Sequence, residues 1–181
     1  RWIILMHHYR ERMNFTEQTA ETAEKNLDDI KIFLGRLKVA AKKNPKTNSG
    51  GVNTDKFELE FNSALEDDFN TQEALTSLFN FVNDASPRAW EISRSAANSA
   101  YKSLFNSVVI FGINLKQPKI PWKISRLANK REGFRINKQF MQSDALRKKI
   151  DSLGYLIDDT PRGPFIWPKQ QKQKLNSRRK T

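Results

Sequence analysis

Between Arg126 and Trp167 the chain reads RLANKREGFRINKQFMQSDALRKKIDSLGYLIDDTPRGPFIW. Bases at Lys130, Arg131 and Arg135 are followed by an aromatic, Phe140, an acid, Asp144, and an acidic pair, Asp158 and Asp159. Lys and Arg alone hold phosphate without reading it. An aromatic that can stack, together with an Arg and a carboxylate, can recognise exposed bases. A carboxylate on a basic surface is repelled by phosphate and needs another job; accepting hydrogen bonds from the N1–H and amino group of a guanine is one. Each residue also has a plainer reading. Phe140 at a helix start can be core, Asp144 can pair with Arg147 or Lys148 at helical spacing, and Arg135 can be a solvated base. It is their combination near a helix–helix junction that makes a recognition surface.

The charge distribution locates a polyanion partner in the same part of the chain. The formal charge is +12, from 32 Lys and Arg against 20 Asp and Glu. Residues 1–115 hold 14 basic and 15 acidic residues, whereas residues 116–181 hold 18 basic and 5 acidic. The whole excess lies in the last third, where phosphate neutralisation and counterion release would drive binding. The plainer alternative is a solubilising surface with a basic tail.

Other chemistries fail on the residues. There is no Cys, which excludes a disulfide framework and every Cys-based zinc site, and which suits a reducing compartment. His7 and His8, the only histidines, are adjacent and diverge on any regular element, so they make a poor chelating pair. Asp67 and Asp68 stand before Asn70, where acids favour the N-terminus of the following helix. No GxGxxG or GxxxxGK[ST] phosphate loop occurs. No apolar run approaches the roughly 20 residues of a membrane span. The start, RWIILMHHYRERM, lacks a signal-peptide cleavage site and begins in mid-pattern, as a fragment would.

The elements that must position these residues are mostly helical. A first helix is predicted over 15–43, with Ala23, Leu27, Ile30, Leu34, Leu37 and Ala41 on one face and Asn14 or Thr16 as its cap. A polar, mobile loop is expected at 44–54, then a helix over 56–66 that Asp67–Asp68 breaks. Asn70 with Glu73 has capping-box spacing for a third helix. Ser86–Pro87 should open a fourth, running to Phe111 with Gly112 as its C-cap. The reading is a mainly α chain: an antiparallel helical bundle over residues 1–115, then a small mixed α/β domain over 116–168. That domain carries helices over 122–136 and 138–153 and a short hairpin turning at Thr160–Gly163. Residues 169–181 read as a basic, disordered tail.

Several strings together resemble one family. SDALRKKIDSLGYLIDDTPRGPFIW and KREGFRINKQFMQSDALR are similar to the C-terminal end of cysteinyl-tRNA synthetases. EDDFNTQEAL, residues 66–75, resembles that family's DDFNTPEAL, and HHYRERMNFT, residues 7–16, resembles its HYR…NF[ST] block. The blocks fall in family order and span about residues 1–167. Gln72 stands where the family commonly has Pro. Pro164, Phe165 and Ile166 place Trp167 one residue later than in many members, and the tail exceeds the short family ending.

The resemblance implies a DALR-type helical bundle followed by an anticodon-binding domain. It assigns Arg135, Phe140, Asp144 and Asp159 to the anticodon bases. Arg131, Lys138 and, in the tail, Lys172 would hold the tRNA backbone. It implies cysteine tRNA as partner, with no DNA and no membrane, and a cytoplasmic location. The full-length family protein is a class I ligase that attaches cysteine to its tRNA using ATP, with a zinc-bound cysteine pocket. Its HIGH and KMSKS motifs lie upstream of HYR and are not among these 181 residues. ATP and zinc are thus implied only for a catalytic domain outside this sequence. The piece itself is expected to have no catalytic residues, metal or cofactor, and to be inactive alone. Two alternatives stand beside this reading: a stand-alone RNA-binding protein derived from the region, and a helical protein-interaction module with a basic tail.

Overall fold

The computed structural model of the chain describes residues 1–7, 9–10, 12–46 and 51–169. They form two compact units, one of residues Arg1–Gln117 and one that begins at Pro118.

The first unit is a helical bundle of α1 (Trp2–Leu5), α2 (Glu17–Lys43), α3 (Thr54–Glu66), α4 (Thr71–Ala85) and α5 (Arg94–Ile110). Helix α2 packs on α5, α3 on α4, and α3 also meets α5. The predicted stripe of α2 faces the core. Ala23, Ile30, Leu34 and Leu37 are buried, Leu27 and Ala41 pack against them, and Phe33 and Ala40 widen the face. Helix α3 supplies Phe57 and Phe61, and Phe57 stacks on Phe81 of α4 at 4.5 Å between ring centres. The short apolar start finds a use: Trp2 is buried with its ring edge-on to Phe79. His7 turns its Nδ1 to the Ile3 carbonyl at 3.0 Å.

The caps show where local signals suffice. Thr16, not Asn14, caps α2, accepting from the Thr19 N–H at 3.1 Å. Asn70 caps α4 by accepting from the Glu73 N–H at 3.0 Å. The reciprocal half of a capping box is absent, because the Asn70 N–H is spent on the Ala64 and Asp67 carbonyls. The turn before it carries two non-glycine residues in the left-handed region, Asp68 at φ +50 and Phe69 at φ +57. The Asp68 carboxylate takes the Tyr9 hydroxyl at 2.9 Å and Arg10 at 3.1 Å.

Two expectations about loops are corrected. Asn44, assigned to a mobile loop, is fully buried as the C-cap of α2, and its side-chain amide donates to the Ala89 and Ile92 carbonyls. Residues 47–50 of that loop lie outside the described residues. Ser86–Pro87 does not open the fourth helix. It closes α4, with Ser86 as C-cap and Pro87 after it, where a residue without an N–H stops a helix. Helix α5 starts at Arg94 because Ser93 accepts from the Ala96 N–H at 3.1 Å. The turn between is pinned by Asn44, with Ala89 and Ile92 fully buried.

The second unit contains α6 (Trp122–Ile136), α7 (Phe140–Ser152) and an antiparallel hairpin of β1 (Tyr155–Thr160) and β2 (Gly163–Pro168). Helix α6 packs on α7 and β2, and α7 on β1. The small core is Ile124, Ala128, Ile150 and Ile157, with Leu127, Tyr155 and Ile166 against it. Pro161 takes the first central position of the hairpin turn, and Gly163 sits at φ +94, a value that suits glycine. Thr160 Oγ1 donates to the Gly163 carbonyl and accepts from the Arg162 N–H. The tail and its Lys172 lie outside the described residues.

Candidate nucleic-acid interface

Helix α6 carries Ile124, Ala128, Arg131 and Arg135 at successive spacings of four, three and four, one stripe of a helix. The first two enter the core. The stripe then reaches the hairpin, where Tyr155, Ile157 and Asp159 share the face of β1 that the core covers. Period 3.6 on one element and period 2 on the other bring Arg131 and Asp159 together.

The pair is bidentate. Arg131 Nη1 donates to Asp159 Oδ1, and Nη2 donates to Oδ2 at 2.9 Å. Arg131 is 2% exposed, whereas the Asp159 side chain keeps about a quarter of its surface. Arg135 Nη1 lies 3.1 Å from the same Asp159 Oδ1 and 2.8 Å from Glu132 Oε2. The hydrogen bond from Arg131, with the charges of Arg131, Arg135 and Arg147, lowers the Asp159 pKa, against the opposing effect of burial. The same hydrogen bond raises the Arg131 pKa.

Two of the residues with expected roles are held in this pair. Arg131 was expected to hold phosphate, but it is buried and both its terminal nitrogens face Asp159. Asp159 was expected to accept from a base edge; here each of its oxygens accepts one hydrogen bond from Arg131. Together they join α6 to the hairpin and hold Arg135, whose side chain is about one-third exposed, in a fixed place.

The other expected residues are at the surface. Phe140 opens α7 and is 62% exposed, so it is not core. Asp144 and Arg147 follow at one and two turns and are exposed. The three form a stripe beside Ser143 and Ile150, which are buried. Asp144 makes no salt bridge among the described residues, although its charge is felt at Arg131. The sequence reading passed over Met141, 86% exposed, and Ile136, 72% exposed. With Phe140 they give the α6–α7 turn an apolar tip among bases, and the signal was simply large apolar residues beside a helix end.

Lys138 sits in that turn at φ +57. Its N–H bonds the Arg135 carbonyl at 3.0 Å, and the Gln139 N–H bonds the Phe134 carbonyl at 2.8 Å. These are the two bonds of a Schellman cap, with lysine in the place glycine usually takes. Lysine pays about 1 kcal/mol for that conformation. Replacing it with glycine is expected to raise the melting temperature slightly, and thermal melts check the sign.

Comparison with known sequences now bears on this surface. The DALR domain family matches residues 60–116, within the first unit. The chain is 31% identical to the cysteine–tRNA ligase of Chlamydia abortus, over 92% of this chain and 36% of that protein. It is 33% identical to those of Oenococcus oeni and Methanosarcina mazei, each over 92% of this chain and 37% of the relative. The chain is homologous to the C-terminal region of the cysteinyl-tRNA synthetases. It spans a little over a third of the length of these synthetases. With 92% of the chain aligned, the synthetase match extends through most of the second unit, including the stretch that holds α6 and α7. Among the described residues no helix is long and apolar enough to cross a membrane. None of their His, Asp and Glu residues form a group of three or more that could hold a metal ion.

Proposed function

We propose that this chain binds tRNA and that α6 and α7 read the anticodon of cysteine tRNA. The observation that carries the reading is the stripe of Phe140, Asp144 and Arg147 along one exposed flank of α7. It offers a stacking face, an acceptor without a salt bridge and a phosphate-binding base at helical spacing, in the part of the chain that holds all the excess positive charge. Arg135, fixed by Glu132 and Asp159, presents a partly exposed guanidinium for a base edge. Lys138 holds the backbone, and Lys172 of the tail adds sequence-independent attraction. In a longer ligase of this family, located in the cytoplasm, the region would deliver tRNA to a domain that joins cysteine to it with ATP and zinc.

Gel-shift competition tests the reading. Cysteine tRNA should compete at least tenfold better than the same tRNA with its anticodon replaced. Arg135→Ala should narrow that ratio, while Lys172→Ala should weaken all RNAs alike. Equal competition by the two tRNAs would remove anticodon reading.

A further inference from the structure

Ile124, Ala128 and Arg131 turn one face of α6 to the core and the hairpin. The opposite face carries Trp122, Arg126 and Lys130 at successive spacings of four, with Lys123 at its edge. All four are exposed, as is Lys119 just before the helix. Among the described residues, the salt bridges of the second unit fall elsewhere, on Arg131, Arg135 and Lys169. The one acid of α6, Glu132, is bonded to Arg135. Lys130 is set over the Phe134 ring, its Nζ 5.6 Å from the ring centre. The outer face is thus basic throughout, with an indole at one end.

That indole stands apart from the other tryptophans. Trp122 is 65% exposed, whereas Trp2 is buried and Trp90 and Trp167 are half-buried. Tryptophan is highly buried on average, because its ring is a large apolar area. Trp122 is also firmly placed. Ile120 and Ile124 on either side of it pack in the core of the second unit, and Pro121 fixes the backbone at its helix start, with φ −58. The ring is held in solvent on a stiff stem, so little conformational entropy is lost when a partner covers it. The surrounding bases say what that partner is. An apolar partner would strand Lys119, Lys123 and Arg126, and an acidic peptide would leave the indole uncovered. A nucleic-acid strand satisfies both, with a flat base for the ring and phosphates for the cations.

We propose that the outer face of α6 is a second RNA contact, in which Trp122 stacks on an unpaired nucleotide outside the anticodon and Lys123, Arg126 and Lys130 hold the phosphates beside it. The inference rests on the tRNA binding proposed above and extends it to a place that the anticodon residues do not reach. Trp122 and Ile136 are the two ends of a 15-residue helix. The indole therefore lies about 21 Å along the axis from the α6–α7 turn. A base face and a phosphate chain carry no sequence information, so this contact supplies affinity without choice.

Gel-shift titration of the full chain and its variants, with cysteine tRNA and with the same tRNA carrying a replaced anticodon, tests this. Trp122→Ala should weaken both RNAs by one common factor, about fivefold or more, and leave their ratio and the melting temperature unchanged. Trp122→Phe should restore most of the loss and Trp122→Leu should not. Arg126→Ala should weaken both RNAs and lower the salt slope by about one phosphate contact. Lys25→Ala, which removes an exposed base of α2, should change neither. Tryptophan emission reads the contact directly: saturating tRNA should quench the parent more than Trp122→Phe. Unchanged affinity in Trp122→Ala overturns the proposal. So does recovery by leucine, a loss confined to one of the two tRNAs, equal quenching of the parent and Trp122→Phe, or equal effects of Arg126→Ala and Lys25→Ala. Equal competition by the two tRNAs in the parent removes anticodon reading alone, because Trp122 is read on the affinity they share.

Discussion

Replacing Arg131 with Met is expected to destabilise the second unit by about 2–3 kcal/mol, more than any surface change in it. Removing one partner of a buried pair typically costs about 3–5 kcal/mol, because the other charge is left without compensation. The cost here is lower for two reasons. The Asp159 side chain keeps about a quarter of its surface, and Arg135 remains 3.1 Å away. Hydrogen exchange at the Asp158 and Phe165 amides, which lie opposite each other in the hairpin next to Asp159, reads the loss where it occurs. The double replacement Arg131→Met/Asp159→Leu should recover most of it, since an apolar pair of similar volume needs no desolvation of charge. If the double variant is no more stable than Arg131→Met, the cost is one of packing rather than of an unpaired carboxylate.

The sign of the pH dependence follows from Asp159. Its pKa is lowered in the folded protein by the hydrogen bond from Arg131. A carboxylate of that kind contributes stability that is present above its unfolded pKa, about 3.9, and is lost as the pH falls through the folded value. In Arg131→Met the main cause of the lowering is gone, so Asp159 takes up a proton at higher pH than in the parent. The stability gap between the two proteins should therefore be widest near neutrality and narrow below about pH 4. A gap that is constant down to pH 3 would mean that the Arg131–Asp159 pair adds nothing through charge.

The pairing was legible in the sequence, had two periods been carried one step further. Ile124 and Ala128 mark the inward stripe of α6, and Arg131 and Arg135 continue it. Tyr155 and Ile157 mark the inward face of β1, and Asp159 continues that. An inward Arg calls for an acid on the neighbouring element, because a guanidinium is not buried alone at acceptable cost. The sequence reading instead treated every base in this segment as solvent-facing. The long helices and the Asn70 and Gly112 ends were readable, because apolar spacing and local capping decide them. The start of α5 was not. Asn44, 49 residues earlier than Ser93, holds the preceding turn through the Ala89 and Ile92 carbonyls, and no local pattern shows a contact of that range. The exposure of Phe140 was open for a similar reason. An aromatic in the first turn of a helix is core or surface depending on which flank the partner helix covers. Here the buried residues of α7 are Ser143 and Ile150, which leaves the Phe140–Asp144–Arg147 flank outside.

That exposure makes Phe140→Ala the most direct probe of base recognition. The substitution should leave thermal stability nearly unchanged, since the ring is 62% exposed and closes no cavity. Binding to cysteine tRNA should nevertheless fall by about 1–3 kcal/mol, roughly fivefold to 150-fold, the measured range for one base stacked on an aromatic. Phe140→Trp should keep or improve affinity, because the larger ring stacks at least as well. Phe140→Leu separates two origins of the effect. If the ring only shields apolar surface at the α6–α7 tip, beside the exposed Ile136 and Met141, leucine restores most of the loss. If the ring stacks on a base, leucine binds nearly as weakly as alanine. Asp144, one turn along the same flank, should then act on choice rather than affinity. Asp144→Asn keeps an acceptor but adds a donor, so it should shift the preferred base, whereas Phe140→Ala should weaken every anticodon by a similar factor. The two substitutions divide the energy of one stripe into a part that holds any base and a part that selects among them.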